Sequence, residues 1–324
     1  MNRLNKNTWR GLIILLIAPF FISCLKTGKT YRTAKSIETE KHVNKQAIDK
    51  SYSWIERHPA SFIDGGFVEI SEELITFYIL SNHTEDISQK KCYFKEIQKR
   101  VNLIATKKDF KVQPGEYTML LAVAAITEKL KITSMDFRKV IEEQLISDPF
   151  FYHQHITSTI WNTVYLERLG YNPTKGLEEL LPQGILSQEV QKRLLFQLVN
   201  SPLNPTYINP MTLTIYYMTH EIFSLTDFGE IPPPPLIANN QEFFSQLLDK
   251  TIEWAITRQH IDILAELIMC VKMLNFEDVP SIQGGIEFII SNQEDNGTFG
   301  ITNPSRPNIY RHGILMSMMA LSMA

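Results

Sequence analysis

The chain has 324 residues, of which 44% are hydrophobic and 21% charged, with a formal net charge of −3 at pH 7 and three cysteines. Those proportions are ordinary for a globular protein and exclude a disordered or collagen-like chain. The interspersed charge signs leave no basic face, so nucleic acid is not an expected partner.

The amino terminus reads as a targeting segment and is set apart from the fold. Arg3, Lys6 and Arg10 make a positive opening, Gly11 to Ile22 an apolar stretch, and Phe21-Ile22-Ser23-Cys24 resembles a bacterial lipoprotein cleavage box. That resemblance implies residues 1–24 as a signal peptide, a lipidated Cys24 as the membrane partner, and a domain held outside the cytoplasm in the cell envelope. An uncleaved amino-terminal anchor with an incidental cysteine is the alternative, and it leads to the same side of the membrane. Residues 25–43 are rich in Lys, Thr and Ser, lack a large apolar run, and are expected to be a flexible tether. Residues 44–324 are expected to form the folded domain.

Within that domain two kinds of segment alternate. Charged, amphipathic stretches cover roughly 44–57, 87–106, 133–147, 187–199, 239–258 and 281–292. Each is followed by an apolar, charge-poor stretch with helical spacing, over roughly 68–80, 116–130, 156–170, 211–224, 262–274 and 312–323. Turn-formers stand between them, including Pro59, Asp64-Gly65-Gly66, Gln113-Pro114-Gly115, Asp148-Pro149, Asn209-Pro210 and Asn296-Gly297. The pattern predicts an all-α domain of six helical hairpins with a repeat of roughly 40–55 residues. No period-2 run of useful length competes.

The last hairpin carries the most specific signal. Gln293-Glu-Asp-Asn-Gly297-Thr-Phe299-Gly300 followed by Tyr310-Arg311-His312-Gly313 resembles the helix-end motif of the α/α-toroid superfamily, which holds terpenoid cyclases, protein prenyltransferases, lanthionine cyclases and complement-type thioester domains. A second run, Tyr216-Tyr217-Met-Thr219-His220-Glu221 through Phe228-Gly229, is similar to a motif from an uncharacterised family of bacterial toroid proteins. The resemblance implies an inner and an outer ring of helices, with 281–324 closing against the hairpin that begins near residue 44. An irregular helical array with an open superhelix has the same alternation. The chemistries of the superfamily do not carry over. The Asp-x-Asp-Asp acid of protonating cyclases does not occur, Arg311 replaces the thiolate of the zinc-binding Cys-His-Gly, and neither Cys92 nor Cys270 begins a Cys-x-x-Gln thioester pair. No metal is expected on these grounds, and no cofactor is indicated. Cys92 and Cys270 fall in different hairpins and are expected as separate thiols.

In a toroid the connections from outer to inner helices share one rim, where helix amino termini aim unpaired N–H groups at a central space. His58, His153, His155, His260 and His312 map to these connections, with Glu69, Tyr207, Asp262 and Arg311. His155, His260 and His312 are expected to converge on one mouth. His312, beside Arg311 and a helix amino terminus, is expected to stay neutral as a base, with Arg311 as an anion clamp. His220, next to Glu221 within an apolar helix, is the deeper candidate, and its alternative is a purely structural hydrogen-bond network. Two functions stay open: a ligand-binding or scaffold protein, or an enzyme working on a carbohydrate or peptide through a His/Tyr/carboxylate rim. A plugged apolar centre favours the first, and a cleft floored with exposed aromatics and paired carboxylates favours the second.

Overall fold

The alternation of charged and apolar segments becomes an alternation of half-buried and fully buried helices. A computed structural model describes residues 34–63, 66–146, 151, 154–200, 205–276, 278–299 and 308–324. Two compact units are distinguished, Met1–Lys41 and His42–Ala324, and the second holds the helical hairpins. Cys24 and the leader lie outside the described residues, as do His153, Gly300 and the Asp148-Pro149 turn.

Among the described residues the structure is helical, with one isolated bridge between Gln293 and Phe299. The amphipathic set consists of α1 (Ala34–Arg57), α3 (Ile87–Ala105), α5 (Phe137–Val140, continued by a π-turn over Ile141–Ile146), α8 (Gln188–Asn200), α11 (Gln241–Arg258) and α13 (Ile282–Ser291). The apolar set consists of α2 (Gly66–His83), α4 (Tyr117–Lys129), α6 (Ile156–Arg168), α9 (Pro205–Thr226), α12 (Ile261–Met273) and α14 (Asn308–Met323). Short helices α7 (Leu177–Leu180) and α10 (Pro235–Ala238) lie in the connections before α8 and α11.

Burial follows from side-chain spacing. In α1, Ala47, Ile48, Ser51, Trp54 and Ile55 form one buried stripe, and in α3 the stripe is Tyr93, Ile97, Arg100, Val101 and Ile104. The apolar helices are buried on most sides, as in α12, where every residue from Ile263 to Val271 is inside. Caps mark the starts. Asp86 accepts the amides of Ser88 and Gln89, and Gln113 with Glu116 makes a capping box before α4.

The apolar helices touch in cyclic order: α2 on α4, α4 on α6, α6 on α9, α9 on α12, α12 on α14, and α14 back on α2. The amphipathic helices lie against this set, α3 on α2, α5 on α4, α8 on α9, α11 on α12, and α13 on both α12 and α14. The 293–299 turn also reaches the first hairpin. Gln293 donates to the Ala47 carbonyl at 2.8 Å, Ser51 donates to the Gly297 carbonyl at 2.8 Å, and Arg57 donates to the Asn296 carbonyl at 3.2 Å. Gly297 has φ +94°, and a Cβ there would lie 2.3 Å from the Lys50 carbonyl oxygen, so backbone shape and space both demand glycine.

Three boundaries differ from expectation. Helix α1 starts at Ala34, ten residues inside the segment expected as a tether, because Ala34–Val43 continues a helical register that its polar composition concealed. Helix α9 starts at Pro205 and runs through Pro210, which therefore breaks nothing and only forfeits one backbone donor. Helix α5 is wider-wound than an α-helix from Ile141 onward.

Candidate functional site

The most polar part of the interior lies where α14 meets α2. Arg311, 2% exposed on its side chain, pairs with Glu69 at 3.1 Å and with Glu73. Glu73, wholly buried, also receives Arg100 at 2.8 Å and the Ala60 amide at 2.9 Å, and Arg100 pairs in turn with Glu96. Two guanidiniums and three carboxylates thus join α2, α3, α14 and the loop after α1. Arg311, expected as a clamp for a ligand, is consumed by protein carboxylates and stacks near Trp54, 5.9 Å from the ring centre. A buried charge needs this company, since the alternative is a desolvated ion without a partner.

His312, one residue on, turns to a different pair of carboxylates. Its Nδ1 lies 3.1 Å from Glu72 of α2 and its Nε2 3.3 Å from Glu266 of α12. Burial by itself would lower the histidine's pKa, but the hydrogen bonds to Glu266 and Glu72 and their charges outweigh it and hold the imidazole well above its ordinary value. The expectation of a neutral base is therefore corrected. Arg311 and the helix dipole are the only neighbours visible in the local sequence, whereas Glu72 and Glu266 come from positions 240 and 46 residues away. Burial likewise would raise Glu266, but His220, His312 and the Thr219 hydroxyl offset it and leave the carboxyl below its ordinary value.

His220 sits across the same space. Its Nδ1 lies 2.8 Å from the Tyr216 carbonyl and 3.8 Å from Glu266. Its ring packs against Tyr216 at 4.0 Å and Trp161 at 5.4 Å. Glu221, its sequence neighbour, faces elsewhere. Both its oxygens are taken, by the Thr157 hydroxyl at 2.9 Å, the Ile185 amide at 2.9 Å and the Leu186 amide at 3.0 Å. Burial raises the Glu221 pKa against those bonds. The His-Glu dipeptide is thereby divided, with Glu221 pinning the 184–186 turn and His220 left to the interior. Gly184 is part of the fit, because a Cβ there would meet Glu221 at 2.9 Å and Ile160 at 2.7 Å.

Between these groups lies a central cavity lined by Ile75, Met119, Trp161, Phe223, Phe228, Met269, Met316 and Met319, with Glu72, His220 and His312 as its polar members. The free space is ≈ 30 Å³, room for one or two waters. One wall is the turn after α9, where Asp227, Phe228 and Gly229 take φ of 49°, 54° and 90° in succession. This left-handed run folds Phe228 inward. Asp227 pairs with Arg168 of α6 at 2.7 Å, and Glu230 accepts from Asn82 of α2 at 2.8 Å and contacts Tyr78 and Lys129 of α4. The turn is thus tied to three of the six apolar helices.

His155 and His260 have other partners than the carboxylates that hold His312. His155 caps α6 by accepting the Thr157 amide at 3.3 Å and stacks on Tyr217 at 4.3 Å, while His260 precedes α12 and stacks on Trp254 at 5.6 Å. Neither lines the cavity. Motif and spacing do not single out Glu72, Glu73, Arg100 or Glu266, although a signal for them exists. A carboxylate inside a helix as apolar as Ile263–Met273 has to have a cationic or donor partner. Cys92 and Cys270 are free thiols, as expected. Among the described residues no three His, Cys, Asp or Glu side chains converge as metal ligands, and no helix is long and apolar enough to cross a membrane.

The fold defines an all-α protein whose apolar helices surround a small polar-tipped cavity. The chain belongs to a family described as a domain of unknown function, DUF6895, which it matches over residues 92–302. The match takes in His220, Glu266 and the Phe228 turn but neither the Glu69–Glu73 segment nor Arg311 and His312. No curated protein and no solved structure matches the chain.

Proposed function

We propose that this protein is an extracytoplasmic α/α toroid, anchored to a membrane through a lipid on Cys24, that acts as a ligand-binding or scaffold protein. The toroid reading is supported by the cyclic order of contacts from α2 through α14 and back to α2, with amphipathic helices packed against α2, α4, α9, α12 and α14. The anchor is supported by the Phe21-Ile-Ser-Cys24 box. The observation that carries binding over turnover is the central cavity itself. With ≈ 30 Å³ free and Phe228 folded into it, it has no room for a sugar ring or a peptide unit, and both nitrogens of His312 are already engaged by carboxylates. A glycosidase needs two carboxylates flanking an open subsite.

Radiolabelled palmitate tests the anchor, with Cys24→Ser losing the label and the membrane association. Unchanged incorporation overturns the anchored reading. Turnover of an oligosaccharide or peptide by the purified protein, abolished in His312→Gln, would replace the binding reading with the catalytic one.

A further inference from the structure

The central cavity holds an unusual donor set. Four methionines line it, Met119 of α4, Met269 of α12 and Met316 and Met319 of α14. His312, Met316 and Met319 stand at i, i+4 and i+7, so α14 turns one face of this composition inward. The His220 Nδ1 lies 2.8 Å from the Tyr216 carbonyl, which only accepts, so that nitrogen donates and Nε2 is the one left for another partner. No described residue takes that Nε2 as a partner. A carbonyl on one imidazole nitrogen with the other left free is how metal-binding histidines are oriented.

Charge and size agree. Two carboxylates, Glu72 in the lining and Glu266, stand beside the polar end, facing the imidazoles of His312 and His220. The space suits a single ion or water and excludes an organic ligand of more than a few atoms. Trp161, Phe223 and Phe228 are also in the lining, and aromatic rings there favour a cation further. Side chains of His312 and His220 keep 28% and 14% exposure, which leaves solvent a way in.

We propose that this cavity binds one soft monovalent metal ion, Cu(I), through the His220 Nε2 and the thioethers of Met269, Met316 and Met319. Thioether and imidazole donors with no thiolate, beside carboxylates that His312 already engages, select Cu(I) over Zn(II) or Mg(II). The binding involves no electron transfer. The inference rests on the binding reading above only in taking the cavity as a ligand site, and it fails separately from the lipid anchor and the ring.

The test uses the full chain carrying Cys92→Ala, which removes the more exposed thiol. Cu(I) is titrated anaerobically against bicinchoninate, with Ag(I) as a closed-shell substitute followed by tryptophan fluorescence. One ion per chain is expected, with no stoichiometric Zn(II) uptake. His220→Gln and the double variant Met269→Leu/Met316→Leu are expected to weaken binding at least tenfold. Leucine for methionine nearly conserves volume, so circular dichroism and melting of that variant stay close to the parent. No Cu(I) or Ag(I) retained against the competitor, or affinity unchanged in the folded Met→Leu variant, overturns the site and leaves the methionines as core filler.

Discussion

Glu73 is the residue on which the closure of the chain can be tested most directly. Its carboxylate is wholly buried and holds Arg100 from α3, Arg311 from α14 and the Ala60 amide. Glu73→Gln keeps the shape and one accepting oxygen but removes the charge. At 2.8 Å and an effective dielectric constant of about 20, one such contact is worth about 6 kcal/mol of gross attraction. Most of that is offset by desolvation, and Arg100 and Arg311 each retain one carboxylate, Glu96 and Glu69. The expected net loss is therefore about 3 kcal/mol, the lower end for a broken buried pair. For a domain of this size that is a fall in Tm of roughly 6–12 °C. Thermal and urea unfolding of Glu73→Gln, Arg311→Gln and the double variant measure it, and the cycle is expected to show at least about 1 kcal/mol of coupling because the two residues share a network. A loss below about 0.5 kcal/mol, or strict additivity, would refute the network as a stabilising contact between α2 and α14.

Three further outcomes rest on geometry. His312 has a folded pKa raised above its unfolded value, so its contribution is complete below about pH 6.5 and is lost as pH rises through the folded value; urea midpoints between about pH 6 and 9 are expected to decline more in the parent than in His312→Gln. Burial lowers the pKa of His83, which acts in the opposite sense and only as pH falls below its ordinary value, so the two do not overlap. Gly297→Ala is expected to cost about 2 kcal/mol or more, from the left-handed backbone and the clash with Lys50, whereas Gly284→Ala, with open space around its Cβ inside α13, is expected to gain roughly 0.5–1 kcal/mol; equal effects would refute the close approach of this turn to α1. Glu221→Ala removes the acceptor for the Ile185 and Leu186 amides, and limited proteolysis is expected to cut first near 184–187, with no such site in His220→Gln.

All six apolar segments and their amphipathic partners are legible in the sequence because helical spacing of apolar residues is a local property, and the two sets differ in how many sides they bury. Gly297 is legible for a related reason, since Asn-Gly after an apolar run marks a turn. What the sequence conceals is long-range. Local reasoning sets His312 beside Arg311 and infers a neutral ring, yet the side chain is governed by Glu72 and Glu266, on helices that meet α14 only after folding. His155 and His260 share with His312 a position at a helix start, and that position serves capping and stacking instead. The Tyr216–Gly229 run is recognisable as a motif, but its division into a pinning carboxylate, an inward imidazole and a left-handed turn rests on dihedral angles that composition does not encode.

The bonds from Arg311 to Glu73 and from His312 to Glu72 join residues 238 and 240 positions apart. During synthesis the carboxylates of α2 therefore exist long before the cations that balance them, and at roughly five to twenty residues per second the interval lasts at least about ten seconds. Over that time Glu73 already has Arg100 to pair with, while Glu69 and Glu72 await Arg311 and His312 on a helix destined for the interior. A ribosome that stops before residue 311 releases a product in which Glu73 keeps Arg100 but Glu69 and Glu72 never meet the α14 cations, and that local charge imbalance marks such a fragment.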